Sequence, residues 1–122
     1  MNAAPLFLSA ALVTVTCLVH SALGERRLIG PLLQMRNGVL QRDLARQVLR
    51  FAWHFMSVLG LIVALVLFSG ARDPSNFDPM LVLVIGLLLT GSGLADAIYT
   101  KGRHVGWPLI VASGLAALAA LY

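Results

Sequence analysis

The side chains best suited to bind a metal or move a proton near neutral pH are three histidines, one cysteine and five carboxylates. His20, His54 and His104 each stand at the edge of a long apolar run. Asp96 lies near the end of another, and Glu25 follows His20 by five residues. Imidazoles with carboxylates suit iron, zinc or manganese, and two histidines can ligate a haem. A histidine beside a carboxylate held among apolar residues can also relay protons, because imidazole titrates near neutrality. There is no HExxH and no ExxH pair, so any such site must be assembled from separate elements. Cys17 has no second cysteine to pair with and is expected to pack as a small apolar side chain.

The elements that must carry these residues are unusually apolar. Of 122 residues, 59% are hydrophobic and 11% charged, against roughly 45–50% and 25% for a soluble domain. A chain of this size leaves about a third of its surface uncovered on folding, so the apolar excess points to lipid. Crossing about 30 Å of hydrocarbon takes about 20 residues of helix. Four segments approach that length: about 5–23, 51–69, 80–99 and 105–122, the last being the shortest. Their runs are continuous and not alternating, which excludes a barrel. The first has no Lys or Arg ahead of it and no good small-x-small cleavage site, so it reads as a retained helix and not a signal peptide. The expected fold is all-α, an integral membrane four-helix bundle forming a single transmembrane domain over residues 1–122.

Charge sets the expected orientation. Eight of the nine Lys and Arg residues fall in the first and third connections, which puts both in the cytoplasm and both termini outside it. Trp53, Tyr99 and Trp107 fall at the same boundary, where aromatic anchors belong. The net charge of +4 is explained by this placement, and no nucleic-acid partner is expected. From Val39 to Phe55, apolar residues recur at helical spacing while Arg42, Arg46 and Arg50 fall four apart. That reads as an interfacial amphipathic helix over about 39–50, its arginines contacting the membrane surface. Gly30-Pro31 and Asn37-Gly38 read as turns ahead of it. The short second connection predicts that the second and third spans pack as antiparallel neighbours.

This orientation brings His20, His54, Asp96 and His104, with Glu25 close by, to one end of the bundle. His20, His54 and Asp96 are expected to converge there. Small residues mark the expected helix seams: Ser57, Gly60 and Ala64; Gly86, Gly93 and Ala97; Ala112, Ala116 and Ala120. The same faces could serve a homo-oligomer or a larger membrane complex. Each half of the chain is a helix pair joined at the basic end, with its own histidine and tryptophan, a faint echo of a parallel repeat.

The stretch His20-Ser-Ala-Leu-Gly-Glu-Arg-Arg-Leu-Ile-Gly-Pro-Leu-Leu33, with Leu49-Arg-Phe-Ala-Trp-His54 and His104-Val-Gly-Trp-Pro108, resembles a group of small bacterial inner-membrane proteins of unknown function. The resemblance covers mainly the first half of the chain. It implies a bacterial inner-membrane location and no particular activity, and it draws attention to His20, Glu25, Arg26, Trp53, His54, His104 and Trp107. The chain has the size of the four-helix multidrug transporters but lacks their membrane-embedded glutamate in the first helix. The reading that follows is a non-catalytic accessory or scaffold protein. The alternative is a His/Asp site that binds a metal or haem, or relays protons in a small transporter.

Overall fold

The computed structural model describes all 122 residues, and every regular element in it is helical. Helix α1 (Ala3–Gly24) starts where the Asn2 side chain accepts from the Ala4 amide, a conventional N-cap. Thr14 and Thr16 return their hydroxyls to the carbonyls four residues back, so an apolar helix carries them without unpaired donors. The expected break at Gly30-Pro31 is absent. The chain instead widens into a π turn, Glu25–Ile29, and continues as α2 (Gly30–Gln34). Pro31 has no N–H to donate, and its ring crowds the carbonyl four residues earlier. A turn closed by the Gly30 amide on the Glu25 carbonyl adds one residue just ahead of the proline. The helical rod therefore runs 32 residues, Ala3–Gln34.

The reversal comes at Asn37-Gly38, as the sequence predicts, with Arg36 and Gly38 both left-handed. A short 3-10 turn (Gly38–Gln41) leads into α3 (Asp43–Arg72). The interfacial helix expected over about 39–50 is not separate: its first residues lie in the 3-10 turn, and residues 43–50 are the first turns of this unbroken 30-residue helix. Arg46 shows why the join holds. Its guanidinium donates to the carbonyls of Leu40 and Gln41 and pairs with Asp43. Arg46 thus pins the preceding turn onto the start of α3.

Helix α4 (Pro79–Tyr99) opens with Asp78 as N-cap and Pro79 in its first turn. Helix α5 (Trp107–Ala119) is only 13 residues long, about 20 Å at 1.5 Å per residue. Three helices are therefore long and apolar enough to cross a membrane; the fourth expected span is a shorter helix, yet the Asn2 amide donates to the Ala120 carbonyl at 2.7 Å, so the end of α5 lies level with the start of α1. The start of α5 is delayed by the Thr100–Gly106 connection, where Lys101 and Gly102 are left-handed. Its end tightens into i to i+3 turns through Tyr122.

The packing order is α3, α1, α5, α4. Helix α1 lies between α3 and α5, and α4 packs on α5. Helices α3 and α4 make almost no direct contact, contrary to the expectation from their short connection. Their small-residue faces look elsewhere. Gly60 of α3 receives the Cys17 sulfur of α1, with Ser57 and Ala64 buried on the same face. Gly86 and Gly93 of α4 receive Leu118 and Val111 of α5, and Gly114 of α5 receives Thr90. Such seams let backbones approach closely, which drives helix association when apolar burial cannot. The remaining core, Leu6, Ala10 and Val13 with Leu67, Ala71, Val82 and Ala117, joins all four helices. The Ser9 hydroxyl, fully buried, donates to the Ser113 carbonyl at 2.7 Å and ties α1 to α5. Outside this core the helices present large exposed apolar side chains, among them Leu18, Leu65 and Leu88.

Candidate polar site at the basic end

Two pairs at four-residue spacing face each other across α1 and α3. Ser21 and Glu25 lie on the first rod, Arg50 and His54 on α3, and i, i+4 residues share a helix face. Glu25 stands at the start of the π turn and bridges both partners. Its Oε1 is 2.9 Å from the Arg50 guanidinium and its Oε2 is 3.2 Å from His54 Nε2. His54 Nδ1 lies 2.5 Å from the Ser21 hydroxyl. In the tautomer with its proton on the nitrogen that faces the carboxylate, the ring donates from Nε2 to Glu25 and accepts at Nδ1 from Ser21. The result is a continuous chain, Ser21 to His54 to Glu25 to Arg50, with its charged members partly exposed.

The other hairpin carries its own pair. His104 Nδ1 lies 2.5 Å from Asp96 Oδ2. Thr100 donates its hydroxyl to the Asp96 carbonyl at 2.7 Å and accepts from the His104 amide at 3.4 Å. Asp96, Thr100 and His104 therefore form one capping unit at the end of α4. Ser92, which shares their spacing, is exposed and makes no part of it.

The residues expected to form one site pair separately, although His20 and His104 line one cavity. His20 and His54 belong to the α1–α3 hairpin, whereas the carboxylate of Asp96 is taken by His104. No three of the His, Cys, Asp and Glu side chains gather closely enough to share a metal ion. The reason is the packing order: α1 and α5 intervene between α3 and α4.

His20 takes a different role from the other histidines. Its ring stacks on Trp53, centroids 4.2 Å apart and 13° from parallel. The Trp53 indole N–H donates to the His20 carbonyl at 3.3 Å. This approach needs Gly24, because a side chain there would occupy the space of the indole ring. His20 Nε2 is buried without a protein partner. Trp107 donates to the Gly102 carbonyl and so closes the turn before α5. Tyr99 points outward and is 92% exposed.

Beside the His20–Trp53 stack lies a cavity of about 220 Å³ between α1 and the start of α5. Val19, Leu23, Leu109 and Ile110 form its apolar walls, and His104 and Arg27 also line it. An apolar cavity with a few convergent polar groups is the usual form of a small-molecule site.

Sequence reasoning missed three participants. Ser21 was hidden because a serine in an apolar helix more often bonds its own backbone. Arg50 reads as one of the surface arginines, although its spacing from His54 places both on one face. Arg27 stands in the sequence only as one of the charges that set topology. No family model, curated protein or solved structure matches the chain.

Proposed function

We propose that this chain is a small polytopic protein of the bacterial inner membrane that serves as a non-catalytic accessory or scaffold. Its basic end faces the cytoplasm and its termini the opposite side. One observation carries the scaffold reading. The carboxylates at the basic end are taken up by partners on neighbouring turns or helices: Glu25 by Arg50 and His54, and Asp96 by His104. Ionisable groups held in or near a bilayer are costly unless paired, and pairs of this kind fix helices relative to each other. The exposed apolar faces of α3 and α4 leave room for lipid and for a partner subunit or a second copy.

A second reading rests on the Ser21–His54–Glu25 chain, whose hydrogen bonds would support proton relay if the ring exchanges its two nitrogen roles. Proton flux into liposomes separates the two. On the scaffold reading, flux with the purified protein equals that of empty vesicles, and His54→Gln and Asp96→Asn change nothing. Flux above that background, abolished by either substitution, overturns it. Metal analysis and a visible spectrum of the same sample test the remaining alternative. A stoichiometric metal or a haem band would also overturn the scaffold reading.

A further inference from the structure

The arginines near the basic end are not used alike. Arg46 and Arg50 are held by Asp43 and Glu25, while Arg26, Arg27, Arg42 and Arg103 have no carboxylate partner, and of these four Arg27 alone lines the cavity between α1 and α5. Arg27 is exposed. A free cation at the edge of an apolar cavity selects an occupant with two parts, one anionic and one apolar. Guanidinium matches phosphate oxygens in a two-point geometry. The walls, Val19, Leu23, Leu109 and Ile110, offer nothing to a small hydrated anion. At about 220 Å³ the cavity is smaller than the roughly 300–1,000 Å³ that encloses a whole drug-sized ligand, so it takes part of a larger molecule.

We infer that this cavity binds an anionic phospholipid, with its phosphate on Arg27 and the first part of an acyl chain between α1 and α5. The inference rests on the membrane reading above, in which the basic end meets the anionic cytoplasmic leaflet. It moves lipid recognition from the Arg42, Arg46 and Arg50 stripe to the π turn. There an unpaired guanidinium adjoins the apolar cavity, whereas Arg42, the unpaired member of the stripe, does not line it. The glycines shape the site. Gly24 lets the Trp53 ring lie flat against α1, and Gly106 lets the His104 ring fold back over the start of α5.

The test uses the full-length protein in nanodiscs of phosphatidylglycerol and phosphatidylcholine with identical chains, and native mass spectrometry to count retained lipid. The wild type is expected to retain phosphatidylglycerol over phosphatidylcholine. Arg27→Ala should cut that retention about fivefold, the effect of one basic residue near a charged surface. Val105→Trp, which fills the exposed rim, should lower retention of both lipids. Arg36→Asn, which removes a charge elsewhere and keeps a residue tolerant of the left-handed backbone, should leave retention unchanged. Millimolar inorganic phosphate should not displace the lipid. Equal retention of both lipids, no effect of Arg27→Ala, or an equal loss with Arg36→Asn overturns the proposal, the last by showing diffuse attraction. Displacement by phosphate reassigns the site to a free anion and also overturns it. Carbonate extraction of expressing membranes is the separate check. A wild-type chain stripped off by carbonate defeats the membrane reading itself, whereas a resistant chain without lipid preference defeats only this inference.

Discussion

Glu25 accepts from two cationic or donor groups on one face of α3, Arg50 and His54. Its side chain is 30% exposed and that of Arg50 is 52% exposed, so solvent screens the pair and its coupling is small. A double-mutant cycle of Glu25→Gln and Arg50→Ala, read by thermal unfolding in micelles, should give a coupling of about 0.2–1 kcal/mol. Zero coupling would mean that the two are merely adjacent. Asp73, in the connection between α3 and α4, accepts from the Asn76 amide and the Ser75 hydroxyl, both at 2.9 Å. These bonds favour the ionised form and hold its carboxyl below the usual aspartate range, Asn76 contributing most. The folded value is depressed, so its stabilising effect is present above the unfolded value, about 3.9, and is lost as pH falls through the folded one. Asn76→Ala should move the Asp73 midpoint upward, measured by carboxyl NMR; an unchanged midpoint would show that the amide bond is not populated. At this scale the sequence was partly legible. The histidines and Asp96 stood out because polar groups in apolar runs are costly. Their partners did not, because Ser21 and Arg50 have ordinary alternatives in a helix and at an interface.

The helices show where local rules held and where packing overrode them. Asn2 and Asp78 cap their helices with short polar side chains, and Asn37-Gly38 turns as expected. Gly30-Pro31 does not, because the π turn absorbs the proline within the helix. At the α4–α5 seam a side chain at Gly114 would meet Thr90 and the backbone at Gly86. Gly114→Leu should therefore destabilise the fold by about 1–3 kcal/mol through overpacking, measured by detergent-titrated unfolding. Gly91 has open space around it. Gly91→Ala should be neutral or stabilising by up to about 1 kcal/mol through helix propensity. Equal losses at both positions would mean that the seam is not specific.

For the whole molecule, the orientation is the testable quantity. Single cysteines in a Cys17→Ala background, placed at Ser75 and at Lys101, should label from opposite sides of a sealed cell. Lys101 should react only from the cytoplasm and Ser75 only from outside. The reverse pattern would refute the charge-based orientation. The chain alone determined that the protein is helical, where its apolar runs lie and that its polar residues gather toward one end, since these follow from composition, periodicity and loop charge. Only the tertiary structure decided which polar groups meet. With α1 and α5 between α3 and α4, Glu25 pairs with His54 and Asp96 with His104, while His20 and His104 line one cavity beside Arg27. Helix order depends on which small-residue faces fit closest, and that complementarity belongs to pairs of surfaces, so no single segment of sequence displays it.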